Sequence, residues 1–393
     1  MKVRSDSGVL VCIVLAQFFC TSLWFAGNAV SNELILQIGG SSNALGHLTA
    51  AVQFGFIIGT LIYALLAIPD RFSPSKVFMY SAFLGAASTL LLLLPTQQFT
   101  GILIARFFTG FFLAGIYPVG MKIAADYFDT RLGNALGLLV GALVLGTAFP
   151  HFIRAFSLGL SWKVVILFAA SLCTVGGITI GLFIADGPYR KKGTRLKYSG
   201  LKQIFSNHSF RSSAFGYFGH MWELYAFWAF VPIMLQLYHQ LHPETSFSTS
   251  LWSFFVIGIG SISCMIAGKI SIKLTPKKTA FAALLVSGSC CLLSPLAFSS
   301  SFVVFLAFLL VWGAFVIADS PMFSTMVAKN APVAYKGTAL TLVNCIGFSI
   351  TIVSIELLGY LNTLFPSTPF LFIILLPGPI FGLWALLKKP KPI

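Results

Sequence analysis

The chain of 393 residues has 57% hydrophobic side chains, only 9% charged side chains and 40 Phe. Soluble globular domains carry charge on about a quarter of their residues, so this composition excludes a water-soluble globule and indicates an integral membrane protein. The formal net charge is +15, which in a soluble protein would suggest a nucleic-acid partner.

Windows of apolar sequence predict twelve transmembrane helices, because a helix needs about 20 predominantly apolar residues to cross a bilayer. In chain order they cover residues 8–30, 47–68, 77–94, 102–121, 134–156, 164–185, 212–235, 250–270, 280–298, 302–326, 338–361 and 370–387. A cleavable signal peptide is the competing interpretation of the first window, since Lys2 and Arg4 precede it. Its apolar run is too long for that interpretation.

The positions of the cations predict the orientation of the chain. With the N-terminus placed in the cytoplasm, all 25 Lys and Arg except Arg106, Arg154 and Lys163 fall in cytoplasmic loops or at cytoplasmic helix ends. The positive charge is therefore a topology signal that needs no nucleic-acid partner, although anionic lipid headgroups attract the same loops. Both termini are expected in the cytoplasm, and a bacterial inner membrane is favoured over the plasma membrane of another cell type.

A basic loop and an internal repeat divide the chain into halves. We expect an N-terminal six-helix bundle over residues 1–189, a basic cytoplasmic linker over 190–208 and a C-terminal six-helix bundle over 209–393. Three pairs of segments recur at nearly constant spacing: 72–76 with 274–278, Pro118 with Pro321, and 133–136 with 337–340. This spacing predicts two pseudo-symmetric halves related by an axis along the membrane normal.

The chain resembles the major facilitator superfamily over essentially its whole length, and two motifs support this resemblance. Gly59 with the segment 70–76 is similar to the family's signature between helices two and three, and residues 106–110 are similar to its Arg-x-x-x-Gly segment in helix four. Ser73 stands where the family has Gly, and Ile272 stands where a second-half copy would have the acid. The resemblance implies an all-α fold of twelve transmembrane helices that moves a small solute by alternating access.

Charged residues inside the spans are functional candidates, because a charge in a bilayer is costly. They are Arg106, Arg154, Glu223, Asp319 and Glu356. Glu223 lies near the middle of helix seven, and His220 shares its face one turn earlier. An acid removed from water can exchange a proton nearer neutral pH, and a histidine can stabilise it, so the pair predicts proton coupling. The alternative is a neutral hydrogen-bonded pair that only locks helices together.

Arg106 and a set of aromatic and amide side chains predict a substrate site. The resemblance implies that Arg106 faces the central cavity, where its guanidinium can hold a carboxylate bidentately or pair with an acid such as Glu223. A permanent structural ion pair is the alternative. Trp24, Asn28 and Tyr225 are expected to line the same cavity, although helix packing also explains such residues.

Gating is predicted at three places. Asp70 and Arg71 form an inner-side latch by resemblance, with an ordinary exposed loop pair as the alternative. Pro150 permits a bend in the Gly-rich fifth helix, but His151 follows it where the antiporters of the family continue Gly-Pro-x-x-Gly-Gly. Asp319 begins an Asp-Ser-Pro segment that predicts a hinge.

Three functions are compatible with these features. The leading hypothesis is a proton-coupled symporter or antiporter of a small organic anion, acting as a monomer among membrane lipids. The alternative is a proton-driven exporter of lipophilic or cationic compounds, with Glu223 and Asp319 as acidic anchors. A receptor or membrane enzyme is disfavoured, since the sequence has no nucleophile motif, no metal cluster among its seven cysteines and no nucleotide loop. We therefore expect neither an enzyme nor a cofactor.

Overall fold

The computed structural model describes residues 6–38, 44–95, 98–128, 132–157, 160–190, 201–332 and 335–388. These residues are almost entirely helical, and no strand occurs among them. Most of the predicted basic linker, at 191–200, lies outside them, as do Lys2 and Arg4. The predicted all-α membrane fold is confirmed.

The described part of the chain divides into two compact units. The first comprises Met1–Arg195 with Ser248–Ser261, and the second comprises Leu196–Phe247 with Ile262–Ile393. The division at Arg195 falls inside the predicted linker, and the start of one helix of the C-terminal half groups with the first unit. The predicted domain boundaries therefore stay a prediction.

The helices of the N-terminal half are α1 Asp6–Thr21, α2 Leu23–Ala29, α3 Ser31–Ile38, α4 Ala44–Leu65, α5 Ile68–Arg71, α6 Pro74–Leu90, α7 Phe99–Leu113, α8 Tyr117–Tyr127, α9 Leu132–Phe156 and α10 Lys163–Phe183. Those of the C-terminal half are α11 Leu201–Ser206, α12 His208–Leu241, α13 Thr249–Leu274, α14 Pro276–Phe298, α15 Phe302–Ala318, α16 Ser320–Asn330, α17 Lys336–Leu364 and α18 Pro377–Leu387. Short 3-10 segments follow α6 and precede α18.

The predicted spans correspond to these helices, some of them in pairs. Eleven candidate spans in the described residues are long and apolar enough to cross a membrane. The remaining predicted span, 212–235, lies within α12, which has 34 residues but carries His220 and Glu223 among its apolar side chains. Large apolar side chains such as Leu296, Val303 and Phe370 are exposed, as expected where helices meet lipid.

Two predicted spans are broken at equivalent places in the repeat. The fourth span breaks between α7 and α8, and the tenth breaks between α15 and α16 at Asp319. Pro118 and Pro321 lie in the first turn of the helix that follows each break. Proline is tolerated there because the N–H groups of the first turn have no acceptor within the helix, so the lack of an N–H costs no hydrogen bond. The repeat found in the sequence therefore has a counterpart in the backbone.

Glycines set the closest helix approaches in each unit. A Cβ on Gly55 of α4 would overlap the backbone carbonyl of Phe107 on α7, and one on Gly110 of α7 would overlap the carbonyl of Val52 on α4. In the second unit, a Cβ on Gly219 of α12 would overlap the backbone of α18. Small residues that let backbones touch are the usual device for packing membrane helices. These contacts fix helices that carry the candidate functional side chains.

Candidate functional site

Glu223 is the centre of a buried hydrogen-bonded cluster in the second unit. The side chain is 1% exposed. The Trp312 indole donates to its Oε1 over 2.6 Å, the Cys291 thiol approaches the same oxygen at 3.3 Å, and the Ser287 hydroxyl donates to Oε2 over 2.9 Å. These neutral donors come from α14 and α15, so the packing of three helices satisfies both carboxylate oxygens.

The cluster can hold Glu223 with or without a proton. An indole N–H only donates and a thiol is a weak partner, so they suit a carboxylate. A hydroxyl both donates and accepts. The Ser287 hydroxyl also lies 3.3 Å from the Leu284 carbonyl, so it can turn its hydrogen there and accept from a protonated Glu223. Ser287 is thus the partner that can serve both states.

His220 and Asp319 form a second buried pair in the same unit. Nδ1 of His220 lies 2.8 Å from Oδ1 of Asp319, and each side chain is 1% exposed. The helix break places Asp319, whose backbone carbonyl accepts from the amides of Met322 and Phe323 in the first turn of α16. The sequence grouped His220 with Glu223, but the structure gives each of them a different set of partners. Asp319, predicted as a hinge, does lie at a break.

Tyr225 is buried by aromatic packing. Its ring centroid lies 5.3 Å from that of Trp228 and 5.3 Å from that of Phe348. This is the packing alternative considered for it above, and its predicted contact with a solute stays a prediction.

Arg106 is fully buried in the first unit, where it contacts the chain at the junction of α1 and α2. Its Nη1 donates to the Leu23 carbonyl over 3.1 Å, and its Nη2 donates to the Trp24 carbonyl over 2.6 Å. A Cβ on Gly27 would lie 3.1 Å from Nε of Arg106, so this glycine makes room for the guanidinium. Among the described residues of its own unit, no carboxylate lies within ion-pair distance of Arg106. Its predicted pairing with Glu223 stays a prediction.

Trp24 and Asn28, both predicted with Arg106, lie on the same short helix α2. The Trp24 ring centroid is 4.9 Å from that of Phe56 on α4. Asn28 donates its Nδ2 to the Thr49 hydroxyl over 2.8 Å. The structure therefore brings three predicted substrate residues together, Arg106 through its hydrogen bond to the backbone of Trp24. Tyr225 belongs to the other unit.

A network of charges joins the ends of several helices in the first unit. Nζ of Lys122 lies 3.0 Å from Asp70 and 3.4 Å from Asp126. Arg190 donates to the backbone carbonyl of Asp70 over 3.2 Å, whereas Arg71 is exposed. Of the two predicted latch residues, Asp70 therefore has an ion pair to another helix, α8.

Arg154 and Pro150 are two further candidates from the sequence. Arg154 pairs with Glu33 of α3, a partner that the sequence did not suggest. Pro150 lies inside the continuous helix α9. Sequence reasoning also missed Trp312 and Ser287, because an ordinary apolar window hides which face of a helix meets an acid. In the described ranges, no group of three or more His, Cys, Asp or Glu is placed to hold a metal ion.

The comparisons with known proteins agree on one fold. The sequence profile of the Major Facilitator Superfamily matches residues 10–355. Two crystal structures of a bacterial homologue of the human lysosomal transporter Spinster are similar to this chain, both inward-facing, one unoccupied and one occupied. Each has a TM-score of 0.69 and covers 98% of this chain and 95% of its own, at 15% and 14% identity. Identity this low shows the fold alone. No curated protein matches the chain.

Proposed function

The chain belongs to the Major Facilitator Superfamily and is an integral membrane transporter, and on that premise we propose that it carries a small organic anion by proton-coupled alternating access. The proposal includes a bacterial inner membrane as the location, cytoplasmic termini, and a monomer whose partners are the solute, protons and lipids. It leaves symport and antiport as the two forms of coupling.

The observation that carries the proposal is the buried Arg106. A guanidinium has five N–H groups, and two of them donate to backbone carbonyls of the first unit. Carbonyl dipoles offset a full charge only in part, and a charge at the centre of a membrane helix costs about 2.5 to 3.5 kcal/mol on insertion scales. A carboxylate supplies the missing charge and matches the planar fork of the guanidinium. An anionic solute is therefore the ligand that this side chain favours.

Glu223 supports the proton-coupled part of the proposal. It is a buried acid whose hydrogen-bond donors are all uncharged, and Ser287 can serve either protonation state. His220 lies one turn away along α12, where it pairs with Asp319, and it is the proposed partner of Glu223 in proton coupling. A proton that binds one conformation better than another shifts the equilibrium between them, which is how binding energy drives transport.

The anion site is tested by thermal unfolding of the detergent-purified chain with acetate, succinate and citrate. A ligand at about 100 times its Kd stabilises the folded state by about 2.7 kcal/mol, so a carboxylate that binds raises the unfolding temperature. Arg106→Gln is expected to abolish this rise. Arg154→Gln is the matched control, because that arginine already pairs with Glu33. Full carboxylate stabilisation of Arg106→Gln would contradict the proposal.

Proton coupling is tested in proteoliposomes loaded with the acid that stabilises best. Glu223→Gln is expected to retain exchange of labelled acid across the membrane while losing accumulation driven by a pH gradient. Glu356→Gln, a change at another intramembrane acid, is expected to retain both. Gradient-driven accumulation by Glu223→Gln would show that another group carries the proton.

A second candidate function is export of lipophilic cations. It is favoured by the two buried acids Glu223 and Asp319, and by the aromatic ring of Trp312 that contacts Glu223. If tetraphenylphosphonium stabilises the protein and the carboxylates do not, the exporter replaces the anion carrier.

A further inference from the structure

Gln53 is a second side-chain amide, besides Asn28, beside the turn of α2 that contacts Arg106. Gln53 of α4 is 0% exposed, and neither its Oε1 nor its Nε2 has a hydrogen-bond partner among the described residues. It follows Thr49 by four residues and precedes Phe56 by three, so the three side chains share one face of α4. Thr49 binds Asn28 and Phe56 contacts Trp24, so this face meets α2. Gln53 therefore points toward the turn between Trp24 and Asn28.

Several unsatisfied polar atoms border this one turn. Nε of Arg106, Oδ1 of Asn28 and both amide atoms of Gln53 are buried without a hydrogen-bond partner in the part of the chain that the structure describes. Buried polar groups in native proteins are hydrogen-bonded as a rule. Gly27, on the same turn, keeps the approach to Arg106 clear of a side chain. Together these atoms offer a cation, two amide acceptors and one amide donor to a ligand.

We propose that Gln53 determines specificity at the Arg106 site, and that this site takes a carboxylate bearing hydroxyl groups. The inference rests on the proposed function, since it assumes that Arg106 binds the carboxylate. The two acceptors, Oε1 of Gln53 and Oδ1 of Asn28, call for neutral O–H donors on the solute. An ammonium group does not fit, because Arg106 repels it and Glu33, the nearest acid along the chain, already pairs with Arg154. Hydroxy acids therefore fit the site better than simple fatty acids, and zwitterionic amino acids do not fit it.

Three acids with three carbons each represent these ligand classes. Glycerate is a hydroxy acid, propionate is a simple fatty acid and alanine is a zwitterionic amino acid. Their Kd values are measured by calorimetric titration of the full chain in detergent. We expect glycerate to bind about tenfold more tightly than propionate, a difference of about 1.4 kcal/mol, because its hydroxyl groups add hydrogen bonds to the two amide acceptors. We expect no binding of alanine. Equal affinities for glycerate and propionate overturn the inference and leave the anion carrier standing, provided that both depend on Arg106.

The variant Gln53→Met keeps the unbranched shape and removes the amide. We expect it to lower glycerate affinity to that of propionate and to leave propionate binding unchanged. Gln17→Met is the matched control, because Gln17 is another fully buried amide with neither atom bonded among the described residues. It lies on α1 against Gly120 of α8, and not on the turn of α2 that contacts Arg106. The control should keep the preference for glycerate.

A second variant tests the same position without depending on how Met packs. Gln53→Glu places a carboxylate beside the turn that contacts Arg106, and we expect it to abolish binding of both acids. Tight glycerate binding by Gln53→Glu, or a glycerate preference that survives in Gln53→Met, overturns the inference. If the native chain binds neither glycerate nor propionate, the inference falls, and the unfolding test with acetate, succinate and citrate decides the anion carrier separately.

Discussion

Replacing Glu223 tests whether Trp312 depends on it for a hydrogen-bond acceptor. The indole N–H lies 2.6 Å from Oε1, and the Trp312 side chain is 0% exposed. Glu223→Gln keeps an oxygen at that position, whereas Glu223→Leu leaves the N–H buried without an acceptor. The two variants therefore differ mainly in whether the Trp312 N–H keeps a hydrogen-bond acceptor.

The size of the difference follows from the other partners of Glu223. The Ser287 hydroxyl is also 3.3 Å from the Leu284 carbonyl, so it keeps a partner in either variant. The Cys291 thiol is a weak donor and contributes little. An unsatisfied buried donor costs about 1–3 kcal/mol. We therefore expect the free energy of unfolding of Glu223→Leu to be about 1–3 kcal/mol lower than that of Glu223→Gln.

A double-mutant cycle isolates the indole. Trp312→Phe removes the N–H and keeps a ring against Phe227, whose centroid lies 4.7 Å from that of Trp312. Effects of Leu and Gln that do not involve the indole cancel in the cycle. In the Trp312→Phe background, once those common effects are subtracted, the free energies of unfolding of Glu223→Leu and Glu223→Gln should differ by less than about 0.5 kcal/mol. Unfolding is followed by far-UV circular dichroism in mixed micelles with increasing SDS. A difference of the same size in both backgrounds would refute the reasoning.

Three further predictions concern packing and ion pairs. Gly55→Ala should destabilise the chain by about 1–3 kcal/mol, because the added Cβ meets the backbone of α7. Gly137→Ala is the control, since a Cβ there has nothing within 4 Å, and thermal unfolding should show it to be neutral or slightly stabilising. Asp319→Leu should destabilise the chain because it leaves His220 buried without its partner, and adding His220→Leu should recover much of the loss; a double variant less stable than the single one would contradict the pairing. Asp70→Asn should cost only about 0.2–1 kcal/mol, and the loss should shrink in high salt, because its ion pair is partly exposed.

The sequence predicts the fold well because the bilayer restricts what a chain can do. Every backbone polar group in lipid needs a partner within its own helix, so length and apolarity alone locate the spans. The repeat adds a second constraint. Pro118 and Pro321 were matched as a pair in the sequence, and each follows a helix break in the structure. The sequence did not predict the breaks as such, apart from the hinge at Asp319.

The site was predictable only in part, because its side chains meet across helices. The cost of charge in a bilayer singles out Arg106, Glu223 and Asp319 from composition alone. Their partners depend on how each helix is rotated about its axis, which no local pattern in one sequence fixes. The i, i+3 spacing placed His220 beside Glu223, but a break at Asp319 brings that acid to the histidine instead. Gln53 carried a visible signal as a polar residue within an apolar span.

Comparison of the two units shows what the duplication kept and what it changed. The spacing that relates Pro118 to Pro321 also relates Gln17 to His220 and Gly120 to Phe323. Gln17 lies against Gly120 in the first unit, and the His220 ring lies 5.9 Å from that of Phe323 in the second, so equivalent positions meet in both. Their chemistry differs, since an uncharged amide stands where the second unit has a histidine bound to an acid. The two units therefore share a packing arrangement at these positions, whereas the polar groups that occupy it differ.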